Sequence, residues 1–156
     1  MDTYHARALE GASAVELTIA LYDGIIRFMH NAIAAVEQRD VEGRRAAVKR
    51  AMDIVVHLQA TLNKDVGGKP AESLSDFYVA MFALMLQGSQ ASSRKKFEQV
   101  IANVRNVRDA WKQVAAESRV SQFTAEQHAD GHGSSVALDG AWIPPSESRP
   151  ASSWTA

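Results

Sequence analysis

The chain has 156 residues, 46% of them hydrophobic and 22% charged, with a formal net charge of -1 and no cysteine. That length suits one domain with a working core, and the near-neutral balance argues against a protein whose main task is holding a polyanion, so nucleic acid is not an expected partner. The missing thiols exclude disulfides and zinc–thiolate sites and fit a reducing compartment.

The opening stretch MDTYHARALEGASAVEL lacks the basic segment and apolar run of a cleavable secretion signal. The longest apolar run, around Val79 to Leu86, is far below the roughly 18 residues a membrane-spanning helix needs. A cytoplasmic chain with no membrane insertion is expected. Residues 1–12 read as a short N-terminal segment, because Ser13 and Glu16 have the spacing of a capping box. The first helix is therefore predicted over about 14–38. On a helical wheel Glu16, Asp23, Arg27, His30 and Glu37 share one narrow stripe, and Leu17, Leu21, Ile25, Phe28, Met29 and Ile33 spread over most of the rest. Gly24 inside this helix costs about 1 kcal/mol relative to alanine, and a close helix crossing is the preferred explanation.

Asp40 is a good N-cap for a second helix over about 41–63, where Val48, Ala51, Met52, Val55, Leu58 and Leu62 make an apolar seam. The stretch NKDVGGKP breaks it: Gly67 and Gly68 accept positive φ and Pro70 opposes continuation. The third helix is predicted over about 73–87, with Gly88 and Ser89, Ser92 and Ser93 marking the next turn. The fourth, about 94–117, carries a seam of Phe97, Val100, Ile101, Val104, Val107, Trp111 and Val114. Residues 118–156 are rich in Gly, Ser and Pro and read as a flexible tail, with Trp142 and Trp154 in it. Helices joined by short connections pack antiparallel. The fold class expected for residues 1–117 is an all-α, up-down-up-down four-helix bundle.

The third helix is the odd one. The stretch FYVAMFALMLQGSQASS, Phe77 to Ser93, carries no charge. Leu74, Phe77, Met81 and Leu84 form one ridge, taken as the core face, and Val79, Phe82 and Leu86 form a second on the other side. Leaving a large apolar side chain bare forgoes roughly 1.5–3 kcal/mol of burial. Contiguous apolar surface on a soluble chain marks a contact site. The second ridge is expected to receive a partner helix or a second copy of the chain; the plainer alternative is that the helix is central in the bundle, or that residues 1–11 or the C-terminal tail cover the ridge.

Catalytic chemistry is not legible. His5, His30, His57, His128 and His132 show no metal-ligand spacing, and the Glu-x-x-His pairs of di-iron bundles are missing. The GGK at Gly67 to Lys69 lacks the rest of a phosphate loop. The basic groups Arg44, Arg45, Lys49, Arg50 and Arg94, Lys95, Lys96 are interspersed with acids and read as solvated helix faces. No enzyme activity, cofactor, metal site or catalytic residue is expected.

Four segments in order, ASAVELTIALYDGII, AMDIVVHLQATLN, GGKPAESLSDFYVAM and FEQVIANVRNVRDAWKQV, together resemble the flagellar secretion chaperone FliS family over about Tyr4 to Val114. The chain departs from the family pattern at Ala14 (proline), Ser73 (asparagine), Ala80 (an aromatic), Phe82 and Ala83 (a basic pair) and Gln87-Gly88 (Ala-Asn). The resemblance implies a cytosolic helical bundle that binds the C-terminal segment of flagellin. It would prevent premature polymerisation and deliver flagellin to a component of the flagellar type III export gate. It also implies that a tyrosine-bearing N-terminal segment covers the groove, for which Tyr4 and Leu9 are the matching residues. Tyr22 and Ile26 are expected to line that groove and Val79, Phe82 and Leu86 to supply its outer ridge. Ile54, Leu58 and Val107 are lesser candidates that a core would equally explain. The competing expectation is a structural homo-oligomer, in the simplest case a homodimer, whose third-helix ridge pairs with itself.

Overall fold

The computed structural model describes the backbone of residues 2–65 and 68–130 and the side chains of residues 13–62 and 68–128. Among the described residues there are four helices and no strand: α1 Asp2–Glu37, α2 Val41–Asp65, α3 Gly68–Ala91 and α4 Arg94–Asp130. Residues Met1–Ala115 form one compact unit, and a second begins at Ala116. Every described side chain of the second unit, residues 116–128, is exposed.

The two well-described turns are built alike. After α1, Arg39 takes a left-handed φ of 57° and the Asp40 amide donates to the Ala35 carbonyl at 2.8 Å. After α3, Ser92 takes a φ of 49° and the Ser93 amide donates to the Gly88 carbonyl at 2.9 Å. Each is the bond that satisfies an orphan carbonyl at a helix end. Each turn then caps the next helix. Asp40 Oδ1 accepts from the Gly43 amide at 2.9 Å, and Ser93 Oγ accepts from the Lys96 amide at 3.3 Å. The predicted cap at Asp40 is present.

Pairs of contacts give the directions. Along α1 and α4, Glu37 meets Arg94, Arg108 donates to Asp23 at 2.8 Å, and the rings of Tyr22 and Trp111 lie 6.3 Å apart. Between α2 and α3, Gln59 donates to Ser75 at 2.8 Å and Arg44 to Ser92 at 2.6 Å. Low numbers on one helix meet high numbers on its neighbour in each case, so neighbours run antiparallel. Helices α1 and α3 run the same way on a diagonal, and there the hydroxyls of Tyr22 and Tyr78 meet at 2.6 Å. The bundle is up-down-up-down, as the sequence predicts.

Four boundaries differ from the sequence reading. The helix of α1 runs through Ser13 from Asp2, because residues 2–12 contain Ala, Leu, Arg and Glu and no proline, and helix propensity outweighs a capping signature. Helix α3 starts at Gly68, at φ 65°, with Pro70 in its first turn. There the missing proline amide is one that would lack an intrahelical partner anyway. Helix α4 continues through residues 118–130, assigned above to the tail, since no glycine or proline interrupts it before Gly131. Gly67 and residues 131–156, with Trp142 and Trp154, lie outside the described residues.

The fourth difference is at Gly88, which sits within α3 and not at its end. A β-carbon there would lie 2.8 Å from Phe97 Cε1 and 3.1 Å from Cδ1. Gly88 makes room for the Phe97 ring, itself fully buried. Gly24 is the close crossing expected: a β-carbon would come 3.1 Å from Ile54 Cδ1 of α2.

The core centres on Tyr22, Ile25, Met29, Met85, Phe97 and Val100, all fully buried. The α2 seam is buried as predicted at Val48, Ala51, Val55, Leu58 and Leu62, though Met52 of that seam is only half-buried, and the α4 seam is buried from Phe97 to Val104. Val107 and Trp111 are half-buried and Val114 is exposed. The predicted core ridge of α3 needs correction. Only Met81 of it is buried; Leu74, Phe77 and Leu84 are half-buried, and the inward residues are Ala71, Tyr78, Met81 and Met85. The helix is turned toward Tyr78 because its hydroxyl finds a buried partner in Tyr22.

The two glycines predict different responses. Gly88→Ala forces a methyl into the flat of a fixed ring and should destabilise the protein by about 1–3 kcal/mol. Gly24→Ala meets only the mobile tip of Ile54 and gains helix propensity, so its net effect should stay within about 1 kcal/mol. Urea denaturation of the two variants measures the contrast.

Candidate functional site

The tilt of α3 that buries Tyr78 turns its next apolar residues outward. Val79 is 65% exposed, Leu86 is 42% exposed, and Phe82 is half-buried against the core. Across from them on α2, Val56 is 56% exposed. Val55 already occupies the inward seam position, and the adjacent valine must point elsewhere.

Between the two helices these residues border a trough. One hollow, about 350 Å³, is walled by Val55, Val56 and Ala60 on one side and Val79 and Phe82 on the other, with Tyr78 beneath. A second, about 300 Å³, is lined by Val48, Met52 and Leu86, with Arg45 and Lys49 at its rim. Val56 and Phe82 border both, so the hollows are continuous. A third, more polar hollow between Gln59, Lys69, Glu72 and Ser75 adjoins the first through Gln59.

Charge is confined to the ends. Lys49 pairs with Asp53 at 3.1 Å, both well exposed, so the bond contributes little to stability. Arg45 is exposed and has no ion pair among the described residues. Among the described residues the lining between Asp53 and Lys69 carries none. Such a surface can hold apolar side chains and discriminate by charge only at its rims.

Of the residues expected at the site, Val79, Phe82 and Leu86 border the trough. Tyr22, Ile26 and Leu58 do not: they are 0%, 7% and 4% exposed and belong to the core. Tyr22 lies behind the trough floor, holding Tyr78 by its hydroxyl. Ile54 is half-buried and faces Gly24 of α1, and Val107 is half-buried on α4. The side chains of Tyr4 and Leu9 lie outside the described residues. The sequence reading missed the whole α2 wall, Val56 and Met52 above all. The adjacent Val55-Val56 pair was the available signal, since one face of a helix cannot take both.

Burial pushes the Tyr22 phenol above its ordinary value, partly offset by hydrogen bonds with Tyr78 and Trp111. A folded state that holds this proton more tightly is stabilised in full below the unfolded value of about 10 and loses that contribution as pH rises through the folded value. Stability should therefore fall above about pH 10. Tyr22→Phe should cost about 0.5–1.5 kcal/mol at neutral pH and reduce the alkaline loss. Thermal unfolding followed from pH 8 to 11 tests both.

The class this geometry defines is an all-α bundle that leaves an apolar trough open between two of its helices. Among the described residues no three metal-ligating side chains cluster, and no helix is long and apolar enough to cross a membrane. The profile of the family described as flagellar protein FliS matches residues 1–118, and the chain belongs to that family. It is 28% identical over 116 residues to the flagellar secretion chaperone FliS of Bacillus subtilis (strain 168), covering 74% of this chain and 86% of that protein. It is 31% identical over 110 residues to the protein of the same name from Campylobacter jejuni, covering 70% and 86%. The Salmonella typhimurium protein of that name is 31% identical over 109 residues, covering 69% and 81%. The matched stretch ends close to the boundary of the bundle unit at Ala115.

Proposed function

We propose that this protein is a cytosolic export chaperone that binds the C-terminal segment of flagellin, prevents its premature polymerisation and delivers it to the flagellar type III export apparatus. The observation that carries the reading is the trough: Val56, Val79 and Leu86 stand exposed around a half-buried Phe82, on a member of a flagellar secretion chaperone family. The relatives' shared name supplies secretion; the trough supplies a physical means of holding an unfolded client.

A client segment that is disordered when free can lay an apolar helical face into the trough and fold as it binds. Part of its contact energy is then spent on ordering, so large buried area goes with moderate affinity and the client can be released for export. No cofactor enters this scheme. Tyr4 and Leu9 are the proposed cover of the site when no client is bound. Tyr22, Ile26 and Leu58 act from behind, by fixing the floor.

Val79→Asp is the direct test. It puts a charge where the client buries an apolar residue and should weaken binding of the flagellin C-terminal segment by about tenfold or more. An exposed site should keep its stability within about 0.5 kcal/mol. Calorimetric titration and thermal unfolding read the two quantities. Unchanged affinity would remove the trough from the binding site. A variant that loses a tight dimer while never having bound flagellin would favour a homo-oligomer.

A further inference from the structure

We infer that the trough takes its helical client in one direction, with an acidic C-terminal end of the client beside Arg45 and Lys49. This rests on the reading of the trough as the client site. The rim at that end carries Arg45 and Lys49 against Asp53, one net positive charge. At the opposite end the described lining carries Lys69 against Glu72, which balance. Lys49 already pairs with Asp53, which leaves the unpaired Arg45 guanidinium as the group available to a ligand.

The backbone gives no competing preference. Helices α2 and α3 are antiparallel, so the positive end of one helix dipole and the negative end of the other lie at the same end and oppose each other. Direction is left to the side chains. The C-terminal end of a bound helix carries a partial negative charge from its unpaired carbonyls, and acidic residues in its last turn add to it. Both are attracted to Arg45 and to neither rim residue at the far end on balance. The client then runs parallel to α3 and antiparallel to α2.

The dimensions set the rest of the client's chemistry. From Ser75 to Ser89 the α3 wall is about 21 Å at 1.5 Å per residue, which accommodates roughly four turns of helix. The uncharged middle requires apolar residues at i, i+3 or i+4, and i+7. The ligand class is therefore a four-turn amphipathic helix with an uncharged apolar ridge and carboxylates in its last turn.

Two labelled peptides with the same apolar ridge test this, one with two glutamates in the last turn and the other with them in the first. With the full chain at low salt, the first peptide should bind about three- to fivefold more tightly, and high salt should erase the difference. Arg45→Glu should reverse the order. Because the chain has no cysteine, Gln90→Cys places a single donor dye on the exposed end of α3. Energy transfer should then be stronger to an acceptor on the peptide's C-terminus than on its N-terminus. Equal affinities, an order unmoved by Arg45→Glu, or stronger transfer to the N-terminus would overturn the direction. If Val79→Asp still abolishes binding of both peptides, only the direction fails. If Val79→Asp leaves both bound, the trough reading fails with it.

Discussion

The hydrogen bond between Tyr22 and Tyr78, 2.6 Å across the bundle diagonal, sets the rotation of α3, and the site follows from that rotation. A buried phenol is stabilised by a hydrogen-bond partner, and Tyr22 supplies one to the inward-facing Tyr78 hydroxyl. With Tyr78, Met81 and Met85 pointing in, helical geometry carries Val79 and Leu86 well round toward solvent and leaves Phe82 at the edge. The trough is thus a consequence of a polar contact in the core. Trp111 lies tilted to Tyr22 at 6.3 Å and Phe77 packs edge-on against Tyr78 at 5.9 Å, and the ion pair of Arg108 with Asp23 lies close by on the α1–α4 side.

The opposite end of the bundle is held differently. There the α1–α2 and α3–α4 turns come together: Arg94 joins Glu37 and Glu98, and Arg44 reaches Ser92. These pairs are exposed and individually weak, whereas the two turns themselves are fixed by backbone bonds and side-chain caps. Packing supplies the remaining order, with the Phe97 ring seated in the space that Gly88 leaves. Near Ser89 and Arg45 the rim charges are therefore carried on helices and not on a loop.

Much of the fold was legible because periodicity and caps are local. The α2 seam, the α4 seam, the Asp40 cap and the Gly24 crossing could each be read from neighbours within a few residues. The failures were of two kinds. Signals that permit a boundary do not require one: at Ser13, Pro70 and Gly88 propensity or packing outweighs them. The rotation of α3 was placed by hydrophobicity, which favours Leu74, Phe77 and Leu84 over a tyrosine. Nothing in the third helix reveals that its tyrosine will meet another from a helix 56 residues away. The outward placement of Val79 and Leu86 could still be read, because they lie outside either choice of core face, whereas Phe82 is half-buried against the core. Their α2 counterparts could not be ranked without knowing which helices are neighbours.

The shape of the apolar surface also bears on what can fill it. Phe82 is half-buried, and the residues that stand out furthest, Val56 and Val79, are short, with the less exposed Leu86 beyond them. A hollow of about 350 Å³ followed by one of about 300 Å³ is a concave strip. Shape complementarity fills such a strip with a convex ridge. Two copies facing trough to trough would enclose empty space and bury only their rims, which forfeits the dispersion contacts that make apolar burial favourable. A single slender helix, by contrast, offers a continuous ridge of side chains and reaches Phe82 and Tyr78 at the floor. The same exposed valines are therefore a weak surface for self-association and a strong one for a narrow partner.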